Sequence, residues 1–141
     1  AVKALAALAT DAKYDRAELT ITVARESIVQ ACQAVQQAGY NFFEDVTAVD
    51  WYPSEPRFQI TYHILSHSLK ERIRLVVRPD GEDAAIDTIT GVWPAANFYE
   101  REVFDLFGVH FGGHPNLTRI MMPEDWNGHP LRKDYPVEGY R

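Results

Sequence analysis

Residues 57–65 read Arg-Phe-Gln-Ile-Thr-Tyr-His-Ile-Leu, with Phe58, Ile60, Tyr62 and Ile64 on alternate positions. Successive side chains of an extended chain point to opposite faces, so this alternation predicts a strand with one buried face. Two neighbouring runs carry the same signal. Glu71–Val77 alternates through Ile73, Leu75 and Val77 and stops at Pro79-Asp80-Gly81, while Val46–Tyr52 ends at the turn cluster Pro53-Ser54-Glu55-Pro56. Short connections join these runs, which predicts an antiparallel meander with one face buried and one wet. Upstream, residues 17–23 alternate again through Leu19, Ile21 and Val23. Between the two regions Ile28, Cys32 and Val35 fall at i, i+4 and i+7, with Ala31 and Ala38 beside them and Gly39 placed to stop the run. This predicts a helix over 26–38 that covers the buried face. Ile86 and Ile89 are assigned to a short second helix.

Pro94 suits a first helical position and Gly108 the left-handed residue past a helix end, so 94–107 is the next predicted helix. Tyr99, Val103, Phe104, Leu106 and Phe107 fill one broad arc of it, with Arg101 and Asp105 opposite. Glu100 falls inside the apolar arc and Glu102 at its edge. From Gly108 to Arg141 no period survives; these 34 residues hold five of the eight glycines and four of the eight prolines. They also carry Phe111, Leu117, Ile120, Met121, Met122, Trp126, Leu131, Tyr135 and Tyr140, more apolar material than a disordered tail holds. A stretch this long without regular structure is usually functional. The fold class is therefore α+β: a mainly antiparallel sheet covered by helices, then a helix and an extended C-terminal arm. Residues 1–107 form the domain and 108–141 an extended arm expected to dock on a partner, the alternative being an arm folded back on its own domain.

The composition narrows the function. The chain has 141 residues, 46% of them hydrophobic, which suits one globular domain. Its formal charge of −6 argues against nonspecific binding to nucleic acid or anionic membranes. No apolar run approaches the roughly 20 residues of a membrane span. Ala1–Ala9 is too short for a signal peptide, and a chain without a starting Met reads as a trimmed product. The expected class is a soluble, mildly acidic, intracellular protein. Cys32 is the single cysteine, so this chain alone builds neither a disulfide nor a four-thiolate iron–sulfur or zinc site.

A carboxylate on an apolar helix face is costly to bury unless it is paired. Glu100 should therefore meet a cation, with Arg119, Arg132 or a partner's arginine as candidates. A general acid–base role would need a second perturbed group and a pocket, which the sequence does not supply. His63 and His67 lie about 13 Å apart on a straight strand, too far to share an ion. His110, His114 and His129 could converge on an open zinc site, but His114 and His129 each sit in a Gly-His-Pro turn and read as hydrogen-bonding turn residues. The run Leu131-Arg132-Lys133-Asp134-Tyr135 mixes charge with an aromatic, as interface rims do.

Three motifs then carry a resemblance: Tyr99-Glu-Arg-Glu-Val-Phe-Asp-Leu-Phe-Gly-Val-His110, Gly113-His-Pro-Asn-Leu117 and Gly128-His-Pro-Leu-Arg-Lys-Asp-Tyr135. Together they resemble the C-type subunit of respiratory complex I, the bacterial counterpart of the mitochondrial thirty-kilodalton subunit. Thr118 departs from the family pattern, which usually has a basic residue or proline there. The resemblance implies a non-redox scaffold subunit in the peripheral arm of a proton-translocating NADH:quinone oxidoreductase. It implies packing against the large quinone-site (D-type) subunit and the cluster-bearing subunits, on the cytoplasmic face of a bacterial inner membrane. It further implies no catalytic residue, cofactor or metal of this chain's own, the FMN and iron–sulfur clusters belonging to the rest of the complex. Related membrane-bound hydrogenases, formate hydrogenlyases and photosynthetic NDH-type complexes are the alternative setting. The interface residues so implied are Glu100, Arg101, Glu102, Asp105, His114, Pro115, Arg119, His129, Pro130, Arg132, Lys133, Asp134 and Tyr135.

Overall fold

A computed structural model describes residues 9–15, 18–79 and 84–136. The opening Ala1–Leu8, Ala17, the Asp80-Gly81 turn, and Tyr140 with the rest of the arm beyond Pro136 lie outside the described residues. The sheet has five strands: β1 (Ala9–Asp15), β2 (Glu18–Val23), β3 (Phe42–Asp50), β4 (Phe58–Ser66) and β5 (Glu71–Val77), in the order β1-β2-β5-β4-β3. The predicted meander is present, since β3–β4 and β4–β5 both pair antiparallel. The chain leaves β2 through helix α1 (Ile28–Gln37) and returns along the meander, so β5 arrives parallel to β2, Leu19 opposite Ile73 and Ile21 opposite Leu75. One parallel pair in an otherwise antiparallel sheet follows from that crossover.

The alternation in β4 places Phe58, Ile60, Tyr62 and Ile64 at zero exposure. They share one core with Ile21, Val23, Ile73 and Leu75 of the sheet and with Ile28, Ala31, Cys32 and Val35, the stripe of α1. Each fully buried Ile, Leu, Val or Phe among them contributes about 1.5–3 kcal/mol of apolar transfer, which is what holds helix to sheet. The strand expected at Val46–Tyr52 runs earlier, as Phe42–Asp50, because the turn Trp51–Pro56 takes the last two residues.

The predicted second helix at Ile86–Ile89 is instead a strand followed by a turn. Strand β6 (Ala85–Asp87) pairs in parallel with β7 (His110–Gly112), setting Ile86 opposite Phe111, and the carbonyl of Ile89 then accepts from Val92 N and Trp93 N. Two apolar residues three apart fit either reading, and the partner strand decides it. Between β6 and β7 runs α2 (Ala96–Phe107), which starts two residues later than predicted and ends at Gly108 with φ of 80°. It packs along β3, the last strand of the sheet.

Candidate partner interface

Two carboxylates on α2 are completely buried, and their surroundings differ in kind. Glu100 faces the loop after β6. Its Oε2 accepts Ile89 N (2.9 Å), its Oε1 lies 2.5 Å from the Thr88 hydroxyl, and His114 Nε2 stands 3.9 Å away. Neither Arg119 nor Arg132 meets it: among the described residues no Lys or Arg reaches Glu100. The helix geometry explains the miss, because Asp105, five residues on, projects about 140° round the axis and collects Arg119 instead. Burial, opposed by the bonds from Thr88 and Ile89, pushes the Glu100 carboxyl up to about 7. The Thr88 hydroxyl carries one proton, accepts Thr90 N, and lies within reach of both Thr90 Oγ1 and Glu100.

Asp105 is an ion. Its Oδ1 accepts Arg119 Nε at 2.6 Å, and its Oδ2 accepts the backbone N–H groups of Ile120, Met121 and Met122 at 3.1, 2.7 and 2.9 Å. Burial raises its pKa, but these four donors outweigh burial and hold the carboxyl below the usual range. The residue expected on the wet side of α2 is thus covered by the arm that it anchors.

The end of α2 is built into the same contact. The last four carbonyls of a helix have no partner within it, and their negative pole favours cations. Here Phe104 O accepts Gly108 N, and Asp105 O accepts His129 Nδ1 (2.8 Å) and Arg119 Nη2 (3.1 Å). Leu106 O accepts Leu131 N at 2.9 Å, and Phe107 O accepts Arg132 Nε at 2.6 Å. All four are satisfied, three of them by donors from residues 119–132 of the arm. Burial lowers the pKa of His129, and the nearby Arg132 and Arg119 charges lower it further, although its bond to Asp105 O opposes them.

Other members of the predicted set lie along this strap. Arg101 donates to Thr118 O and Thr118 Oγ1, so the position that departs from the family pattern supplies an acceptor. His114 accepts Asn116 N on Nδ1, which leaves Nε2–H to donate to Asn97 O. Arg119 also donates to the carbonyls of Trp126 and Gly128. Tyr135 OH accepts Trp126 Nε1 and lies 3.3 Å from Asn127 O. Pro115, Glu102 and Lys133 are exposed and Pro130 is half-buried. Lys133 contributes its backbone N–H to Asp50 Oδ2, and Asp134 pairs with Arg57.

That last contact includes residues the sequence reading missed. Arg57 has no exposed surface, is gripped by both oxygens of buried Asp50, and reaches Asp134 on the arm. Opposite charges flanking a Pro-x-x-Pro turn were the available signal. Also missed was a group at the β3 bulge, where an extra residue between Phe43 and Asp45 brings Glu44, Asp45 and His63 together with ligand atoms within 4.8 Å. That trio could hold a metal, though Arg72 already pairs with Glu44.

The strap leaves Met121, Trp126 and Leu131 between 42% and 57% exposed, with Ile120 beside them. Against this geometry, the family model for the respiratory-chain NADH dehydrogenase 30 Kd subunit matches residues 21–141. The chain belongs to that 30 kDa subunit family. A relative from Geobacter sulfurreducens, the C-type subunit of its NADH-quinone oxidoreductase, is 48% identical over 136 residues, covering 95% of this chain and 84% of the relative. The corresponding NADH-quinone oxidoreductase subunit of a Roseiflexus species is 45% identical and covers 86% of this chain and 72% of its own. Two solved structures agree in fold. A trypsin-resistant fragment of Nqo5 aligns at a TM-score of 0.69 with 31% identity, covering 76% of this chain and 89% of that one. A chain of a membrane-bound sulfane sulfur reductase, an archaeal respiratory membrane complex, aligns at 0.80 with 29% identity, covering 90% and 77%. Among the described residues no helix is long and apolar enough to cross a membrane.

Proposed function

We propose that this chain is a non-redox scaffold subunit in the peripheral arm of a proton-translocating NADH:quinone oxidoreductase. It packs against the large quinone-site subunit and the cluster-bearing subunits, at the cytoplasmic face of a bacterial inner membrane. It binds no cofactor itself; the complex carries the FMN and iron–sulfur clusters. Family membership supports the complex, and one structural observation supports the scaffold role: residues 119–134 are tied by side chains to the end of α2 and to Arg57, and display Met121, Trp126 and Leu131 outward. A segment ordered before binding loses little entropy on docking, which is what holding neighbours at fixed separation requires. The lone thiol also fits, since Cys32 is buried and burial raises its pKa well above the ordinary thiol value.

The likeness to the sulfane sulfur reductase chain favours one alternative, a related respiratory membrane complex with another electron donor. Purification of the tagged full chain from its own membranes tests both. Recovery of an NADH- and flavin-binding subunit together with the quinone-site subunit is expected. Recovery of a large partner subunit, nickel-bearing or not, without an NADH- and flavin-binding subunit would establish the alternative, and recovery of no partner subunit would overturn the scaffold reading.

A further inference from the structure

Beyond the strap, a groove of about 320 Å³ lies between β3 and α2. That is about twice the ~150 Å³ apolar cavity that accommodates a benzene molecule. Four consecutive strand residues, Asp45 to Ala48, line it. Neighbouring residues of a strand point to opposite faces, so only a groove running along the strand's edge borders all four. Among the described residues β3 pairs with β4 alone, which leaves its outer backbone groups without a strand partner. Proteins usually blunt such an edge with lysine, proline or a bulge. Here the bulge sits at Phe43–Asp45, Val46–Val49 carries no lysine or proline, and α2 packs along β3 on the far side of the groove.

The opposite wall is a helical stripe, Tyr99, Val103, Leu106 and Phe107, closed at one end by Leu131, whose N–H is fixed on Leu106 O. The rim is acidic: Glu102 is exposed, and Asp45, paired with His63, lies on the strand side. An apolar floor, an open edge and two rim carboxylates call for an occupant with matching chemistry.

Resting on the scaffold reading, we propose that this groove receives an extended segment of a neighbouring subunit. That segment adds to the β3 edge, seats an apolar side chain against Val103 and Phe107, and carries a lysine or arginine beside it for Glu102.

The test is photo-crosslinking in the purified complex, with the probe amino acid placed at exposed Thr47 in the groove or, as a control, at Trp126 on the strap. The Thr47 probe is expected to label a partner peptide in which Lys or Arg lies within two residues of the apolar contact. Glu102→Lys should cut that yield at least fivefold and leave the Trp126 yield unchanged; Glu102 is exposed, so the variant keeps its fold. Labelling of an acidic segment, of this chain itself or of a second copy would overturn the proposal. So would no labelling from Thr47 while Trp126 still labels a partner, and in that case the scaffold reading survives. Loss of both signals, with the subunit absent from the complex, would remove the scaffold reading and the groove proposal together.

Discussion

Glu100 and Asp105 lie on one helix with no exposed surface, yet they titrate in opposite directions. Burial opposes both charges; the difference is the donor set, two groups for Glu100 against four for Asp105, one of them an arginine. The consequence for Glu100 follows from linkage. Its pKa is raised from 4.5 to about 7, so between those values the folded chain holds a proton that the unfolded chain has released. Stability from this group is full below about pH 4.5 and is lost as pH rises to about 7, a difference on the order of 3 kcal/mol. Glu100→Gln keeps a donor for Thr88 and an acceptor for Ile89 N without the charge. Urea unfolding at pH 5 and pH 8 should show the variant close to the parent at pH 5 and about 1–3 kcal/mol more stable at pH 8. His129, with its lowered pKa, acts in the other direction below pH 6.5, but it is common to both proteins and cancels in the comparison. Equal stability differences at the two pH values would show that Glu100 carries no extra proton.

At the scale of elements, the junction of α2 with the arm explains what the sequence made legible. The strands of the meander were readable because period-two burial is written locally, in Phe58, Ile60, Tyr62 and Ile64. Strands β6 and β7 have three residues each, too few for a period, and each exists because the other is beside it. The helix end was readable at Gly108, but its occupants were not. Which donors reach the carbonyls of residues 105–107 is decided by tertiary approach across some 15–25 residues, and Arg119, His129 and Arg132 are equally good solvated residues by composition. Gly108 tests the junction. A Cβ there would lie 2.7 Å from both Arg132 Nη2 and His129 Cδ2, at a φ of 80° that other residues adopt only with strain. Gly108→Ala should cost about 2–3 kcal/mol in urea unfolding, and the amide of Leu131 should lose hydrogen-exchange protection before the core strands do. Asp105→Asn leaves three backbone N–H groups competing for one neutral oxygen and Arg119 without its ion. It should cost about 2–4 kcal/mol, read in the same way, with exchange at 120–122 accelerated most.

For the whole molecule, the lock that matters joins the two ends of the fold: Asp50 on β3, Arg57 before β4, and Lys133 and Asp134 on the arm. Asp50 spends Oδ1 on Tyr52 N and Arg57 Nε, and Oδ2 on Arg57 Nη2 and Lys133 N, all between 2.8 and 3.0 Å. Asp134 grips the same guanidinium from a position 44% exposed. An exposed partner contributes little, whereas removing the buried partner takes two hydrogen bonds and the inner counter-charge from a buried cation, so the two substitutions separate cleanly. Asp134→Asn should cost less than about 1 kcal/mol, and Asp50→Asn about 3–5 kcal/mol. The pH dependence has one sign for both. The Asp50 carboxyl is held low because its bonds from Arg57, Lys133 N and Tyr52 N outweigh burial, and Asp134 is held low chiefly by its bond from Arg57. Their contribution is therefore present above the ordinary aspartate value near 4 and is lost as pH falls through the folded values. Tryptophan fluorescence should follow this, because Trp51 adjoins Asp50 and Trp126 lies on the strap. An acid titration of the full chain should show a transition below pH 4, shifted upward in Asp134→Asn and further upward in Asp50→Asn. If Asp50→Asn moves it no more than Asp134→Asn does, then Arg57 is held by the arm rather than by the hairpin. In that event the strap would be a clamp on the sheet, rather than a passenger fixed by it.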